Sequence, residues 1–407
     1  MTPLTRTRGG RLAAATACVV LLAGSAAAQS PPATRTEAIA AEEAEKAQHL
    51  EPYIGNKAER LVSAFEEAFI TGRVKWHPFF ESAAQGGGFT LGAGYRQHVT
   101  SYSSIDMRGS ITPSGYKRVE VEFLAPRALQ RRGVLSVVGG WREATQVGFY
   151  GFGTGPTSVD DRVNYGFSQP YVSASLRVLP TRKWLVLGGG LELSEWKQDS
   201  GSGTAPSVEE VYTPEELPGL GSSPVYVQAF GTVGFDSRAA PDYARRGGYY
   251  GVTYRNYADQ DDAYGFSLVE YSAIQHIPIL RDAWVLSLRG EVTTTQTKDA
   301  QVIPFYMLPS LGGGSSLRGF TSWRFRDRHS MLFSADWRVL ANHFMDIAVF
   351  YDAGKVVSDT SNLDLQGLKK DYGLGFRLHG PLSTPLRIDF AKSNEGLQMV
   401  FSAKAAF

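Results

Sequence analysis

From Val74 to the end of the chain, apolar and polar residues alternate with a period of two. Val119, Val121 and Phe123 interleave with Arg118, Glu120 and Glu122, and Trp284, Leu286, Leu288 and Val292 with Ser287, Arg289, Glu291 and Thr293. The same rhythm sets Tyr372, Leu374 and Phe376 against Gly373, Gly375 and Arg377, and Leu386, Ile388 and Phe390 against Arg387 and Asp389. Successive side chains of a strand point to opposite faces, so each segment carries one apolar and one polar face. Alternation alone fits a soluble sandwich or a membrane barrel. The number of segments and the lengths of the connections decide between them.

Strands are predicted near 74–84, 88–98, 102–112, 116–126, 133–143, 164–177, 183–195, 225–235, 248–257, 263–275, 284–296, 330–340, 343–352, 371–379, 385–392 and 396–407. About sixteen segments of roughly ten residues suit tilted, membrane-crossing strands better than the shorter strands of a sandwich. If the first strand rises from the periplasm, the long connections at 144–163, 196–224, 297–329 and 353–370 all fall on the external side. That asymmetry is the habit of outer-membrane barrels. The expected fold class is therefore all-β, a transmembrane antiparallel β-barrel of about 16 strands over 74–407, with a short N-terminal helical segment.

Upstream the pattern changes. Residues 36–48 are rich in Ala and Glu, and within 58–70 Leu61, Phe65, Ala68 and Phe69 share one helical face. Earlier still, Arg6, Arg8 and Arg11 precede an apolar run from Leu12 to Gly24 and the small residues Ala26, Ala27 and Ala28. This order predicts a signal peptide over 1–28, then a periplasmic tether and amphipathic helix over 29–73. The only cysteine, Cys18, lies inside the apolar run with Ala15, not Leu, three residues before it, which speaks against lipid attachment. The exported chain then has no disulfide framework and no thiolate metal site. Beyond the signal no run of eighteen apolar residues exists, so a membrane would be crossed by strands. With 41 basic against 40 acidic residues there is no bulk field for nucleic acid, while 44 glycines and 12% aromatic residues suit a β-rich envelope protein.

Candidate chemistry concentrates in LPSLGGGSSLRGF, residues 308–320. Its glycines lack the Lys-Ser/Thr of a phosphate-binding loop, as does GFGTG at 151–155. The seven histidines, His49, His77, His98, His276, His329, His343 and His379, have no second ligand at metal-binding spacing. Ser334 and His329 are present without a nucleophile motif. No catalytic residue, metal or cofactor is expected, and the chain is not expected to be an enzyme. Leu397, Met399, Phe401, Ala403, Ala405 and Phe407 share one face of the last predicted strand. A terminal Phe407 there resembles the sorting signal read by the barrel-assembly machinery, although Ala405 stands where a second aromatic is common.

GGSSLRGF resembles the Arg-Gly-Phe loop of the BamA/TamA outer-membrane assembly superfamily, also called the bacterial surface antigen family. FSADW, with Asp336, and VFYDAGKV, with Asp352, resemble the family's strand-twelve and strand-thirteen motifs. FDSRAAPDYARRGG, residues 235–248, resembles its periplasmic turn, with Asp236, Arg238, Pro241 and Gly247 at the matching positions. The resemblance implies that loop 297–329 folds into the barrel as a lid and that Arg318, followed by Gly319 and Phe320, meets Asp336 and Asp352. Parity agrees: Met331, Phe333, Ala335, Trp337 and Val339 take the lipid side, which turns Asp336 inwards, and Met345, Ile347, Val349 and Tyr351 likewise turn Asp346 and Asp352 inwards. The function implied is insertion or translocation of protein or lipid at the outer membrane of a Gram-negative bacterium. Its partners would be outer-membrane lipid, a polypeptide client and, for its own insertion, the assembly machinery. A passive pore or structural barrel is the alternative, and a barrel hydrolase a weaker one. The family's periplasmic polypeptide-binding repeats find no room in 29–73, so a branch consisting of the barrel alone is expected.

Overall fold

The computed structural model describes residues 75–407 apart from Pro156, Arg182, Lys183, Arg281 and Asp299, with isolated positions at 39, 42, 43, 45 and 60. The expected signal peptide, tether and helix at 58–70 lie outside the described residues, those isolated positions aside.

The first eight strands are β1 (Trp76–Pro78), β2 (Leu91–His98), β3 (Ser104–Ile111), β4 (Lys117–Arg127), β5 (Gly133–Phe149), β6 (Val163–Val178), β7 (Leu185–Glu195) and β8 (Val225–Asp236). Then come β9 (Gly247–Asp259), β10 (Phe266–Leu280), β11 (Trp284–Thr297), β12 (His329–Asn342), β13 (Met345–Val357), β14 (Lys369–Leu378), β15 (Leu386–Ser393) and β16 (Gly396–Ser402). Each pairs antiparallel with the next in sequence, and the segment Lys197–Ser200 prolongs β7 along β6. The sheet curls into a barrel of the expected class and strand number.

Burial follows the predicted parity except at Met331, expected on the lipid side but only 6% exposed at the start of β12. On β12, Phe333 and Trp337 are 38% and 47% exposed, whereas Ser334, Asp336 and Arg338 are 6%, 1% and 7% exposed. On β13, Val349 and Tyr351 are exposed while Ala348, Phe350 and Asp352 are buried. An outward apolar belt this extensive would be a liability in water and is what hydrocarbon requires. No helix among the described residues is long and apolar enough to cross a membrane.

The long connections gather at one end and share a core. Phe149, Tyr165, Val208, Leu217, Phe305 and Tyr306 form one buried cluster, with Phe305 edge-on to Phe149 at 5.4 Å and to Tyr165 at 4.9 Å. The external mouth is thus capped by several connections together, because their aromatics can leave water only against one another. The sequence had assigned closure to one loop.

Both ends of the barrel depart from expectation. The strand predicted over 74–84 shrinks to three residues, because Pro78 offers no N–H to a further ladder and the chain then turns inwards. The Phe79 ring lies 5.2 Å from the guanidinium carbon of Arg108, a residue of the lumenal face of β3. At the other end, Leu397, Met399 and Phe401 remain exposed on the apolar face, but β16 stops at Ser402. Phe407 leaves the strand and stacks 6.4 Å from His276, with Arg289 5.9 Å away, so it does not extend the lipid-facing row as predicted. Among the described residues no register of paired residues joins β1 or β2 to β16. Among the described residues the barrel therefore has a seam.

Candidate functional site

The connection between β11 and β12, residues 298–328, runs back into the lumen. Its path is pinned by a two-residue ribbon, Ser310–Leu311 against Phe325–Arg326. Gly313, at φ +90°, takes the left-handed turn that brings Ser316 and Leu317 back over the loop, a conformation glycine adopts at little steric cost. Leu311, Leu317, Phe320 and Phe325 then pack with Leu332 of β12 and Val356 of β13, so apolar burial holds the loop against the wall before any charge is considered.

That packing delivers Arg318. Its Nε donates to Asp352 Oδ2 at 2.6 Å, and its Nη2 donates to Asp352 Oδ1 at 2.8 Å and to Asp336 Oδ1 at 2.7 Å. The two bonds to Asp352 form a bidentate fork that a lysine cannot reproduce. Nη1 reaches Asp389 Oδ2 of β15 at 3.3 Å, and the guanidinium lies 3.5 Å from the centre of the Phe350 ring. Burial alone would lower the pKa of Arg318, but Asp336 and Asp352 outweigh it and hold the pKa well above the ordinary guanidinium value. The cation is permanent. Gly319 follows under a steric constraint: a Cβ there would lie 2.6 Å from Cβ of Asp371. Its carbonyl accepts from Ser393 Oγ at 2.6 Å.

The structure therefore places Arg318, Asp336 and Asp352 in one buried cluster, with Gly319 and Phe320 packed beside it. Sequence reasoning missed Asp389, Arg377 and Phe350. Arg377 Nη2 takes the second oxygen of Asp336 at 2.6 Å, and its Nη1 lies 3.4 Å from Asp389 Oδ1. Parity had put Arg377 and Asp389 on the polar faces of their strands. It carried no signal that these strands, two and three places from β12, curve round to the same guanidinium.

The turn after β8 forms a separate assembly. Asp236 holds Arg238 by Nε at 3.0 Å and Nη2 at 3.1 Å, and Gly247 opens β9 at φ +86°. Pro241 starts a single 3-10 turn that presents Tyr243 to Asp346 Oδ2 at 3.0 Å and to His379, stacked at 4.1 Å. Arg338 donates to the carbonyl of Ala244. The turn is thereby tied to β12 and β13 on the side opposite the long connections. Ser334 and His329 are five residues apart on β12, about 17 Å at 3.4 Å per residue, far beyond hydrogen-bond reach. His329 Nδ1 instead accepts from the Thr295 N–H at 3.3 Å.

Together these features define a class: an outer-membrane β-barrel with a loop inside its lumen whose arginine is ion-paired to the wall. Residues 234–402, from the end of β8 through β16, match the Omp85 superfamily domain, in line with the resemblance of the motifs. The fold is similar to that of BamA from Haemophilus ducreyi lacking POTRA domains 1–3, at 16% identity and a TM-score of 0.61, over 82% of this chain and 70% of that one. It is also similar to CdiB from Escherichia coli, at 12% identity and a TM-score of 0.50, over 80% of this chain and 58% of that one. No curated protein sequence matches the chain.

Proposed function

We propose that this barrel assists the insertion or translocation of a β-rich polypeptide at the outer membrane, with loop 298–328 as its lid and the seam as its exit. The observation that carries the reading is the seam itself. β1 is three residues long and pairs only with β2 among the described residues, so the outer edges of β1 and β16 leave backbone N–H and C=O groups that an incoming strand can satisfy. The buried Arg318 cluster fits the role of a lock, because it holds a loop in a lumen otherwise wide enough for water. Outer-membrane lipid surrounds the apolar belt, a polypeptide is the client, and the assembly machinery would insert the barrel itself.

Purified protein in lipid vesicles tests this. Vesicles carrying the barrel should speed the folding of an unfolded β-barrel client over protein-free vesicles, and a covalent link between β1 and β16 should abolish the gain. Steady ion conductance with no gain in client folding would instead establish a passive pore.

A further inference from the structure

We infer that loop 298–328 is also the brace that holds the two unpaired edges of the seam together, so that leaving the lumen and parting the seam are one event. The inference rests on the lid and seam reading above. One stretch of the loop, residues 314–324, grips both sides. On the β16 side, Arg324 donates from Nε to both oxygens of Glu395, at 2.8 and 3.0 Å, and Glu395 sits in the tight turn between β15 and β16. Arg387 of β15 donates to the carbonyl of Gly314 at 2.7 Å, and a Cβ on Gly314 would lie 2.4 Å from Val400 of β16, so the loop backbone lies directly against the last strand.

On the β1 side, the chain that turns inwards after Pro78 brings Gln85 to the same loop. Gln85 Nε2 donates to Ser315 Oγ at 2.6 Å, and Trp323 Nε1 donates to the Gln85 carbonyl at 2.9 Å. Trp323 makes that contact from φ +64°, a backbone region that non-glycine residues enter only at a cost. Its neighbour Arg324 points to the opposite edge. A strained residue and a half-buried ion pair, adjacent in sequence, thus reach across a gap that no backbone ladder closes among the described residues. Arg318 fastens the loop to β12, β13 and β15; Arg324, Trp323 and Ser315 use that anchored loop to set the spacing of the edges. Arg324 is a positioning residue.

The test uses the full chain in lipid vesicles, with Cys18 replaced by Ser and spin labels on Trp76→Cys of β1 and Met399→Cys of β16, both on the lipid-facing surface. Combined Gln85→Ala, Trp323→Ala and Arg324→Ala should lengthen the mean distance between labels by roughly one strand spacing, about 5 Å. The reversed pair Arg324→Glu with Glu395→Arg should restore the native distance, which a general loss of packing would not allow. An unchanged distance in the Ala variant overturns the brace. If that variant does not fold, the reversed pair decides: a folded barrel with the native distance supports the brace, and a folded barrel with a parted seam overturns it. Client folding separates this inference from the proposed function. A parted seam with unchanged client folding sinks the function and leaves the brace; an unchanged distance with impaired client folding does the reverse.

Discussion

On the lumenal wall formed by β12 to β15, the cation that joins the carboxylates arrives from a loop; on the wall formed by β3 to β5, the cations belong to the strands. Arg318 touches Asp336, Asp352 and Asp389, the last 71 residues away in sequence, and Arg377 fills in between Asp336 and Asp389. Opposite, Arg108 pairs with Glu120 at 2.8 Å and Glu122 at 2.7 Å, and Arg118 with Glu120 at 2.6 Å, all between neighbouring strands or along one strand. This second network leaves a cavity of about 260 Å³ among Arg108, Arg142, Gln169, Tyr171 and Glu192. The same ion chemistry therefore does two things. The local network lines the wall, whereas the long-range one couples the wall to the position of a loop.

The largest effect should come from Arg318→Ala. Removing the guanidinium leaves Asp336, Asp352 and Asp389 buried with only Arg377 and Arg387 near them, and losing one partner of a buried ion pair costs about 3–5 kcal/mol. A lower midpoint in thermal unfolding, read by electrophoretic mobility, and a rise in single-channel conductance should appear together; if neither moves, Arg318 is no lock. Arg318→Lys should recover only part of the loss, because one ammonium cannot span both oxygens of Asp352 and still reach Asp336. Next in size is Gly319→Val. Its Cβ meets Asp371 at 2.6 Å, an overpacking worth about 1–3 kcal/mol, and conductance should rise although every charge remains. A silent Gly319→Val would mean that the loop does not need its close approach to β14.

What the sequence made legible follows from which forces leave a local trace. Lipid demands an apolar residue at every second position, so Phe333, Trp337, Val349 and Tyr351 announced the strands and, by parity, put Asp336 and Asp352 in the lumen. The Arg-Gly-Phe motif then supplied the partner. Asp389 and Arg377 were on the correct face but unassigned, because closing the barrel brings β14 and β15 round to Arg318 and no spacing in the chain encodes that curvature. The external core was illegible for the opposite reason. Phe149, Phe305 and Tyr306 lie at or beyond the strand ends with no period to read. Trp76 to Phe80 reads as strand by composition, and the single Pro78 outweighs it.

On the local wall, Glu120→Gln should cost less than Arg318→Ala. Glu120 is buried and bonded to Arg108, Arg118 and Tyr171, so a charge-assisted pair is lost, about 1.5–3 kcal/mol, but Glu122 still holds Arg108 and Glu81 still holds Arg118 at 3.2 Å. Stability should fall while conductance stays closed. If Glu120→Gln opens the pore as Arg318→Ala does, the two walls are one network and the contrast between them fails.

The smallest effect tests where the local wall meets the end of the chain. Lys404 Nζ lies 2.5 Å from Glu81 Oε1, but the Lys404 side chain is 73% exposed and that of Glu81 39%. Such a pair is worth about 0–1 kcal/mol and is screened once the Debye length falls to about 3 Å at 1 M salt. Lys404→Ala should therefore shift stability slightly at low salt and not at all at high salt. Burial pushes the Glu81 pKa up, but Lys404 and Arg118 more than offset it, so it lies below the usual glutamate value. A depressed carboxylate pKa adds stability above the unfolded-state pKa, and that stability is lost as pH falls through the folded value, so acid should mimic Lys404→Ala. A loss that persists in 1 M salt would show that this wall, too, leans on a residue far away in sequence, and the line drawn between the two walls would have to move.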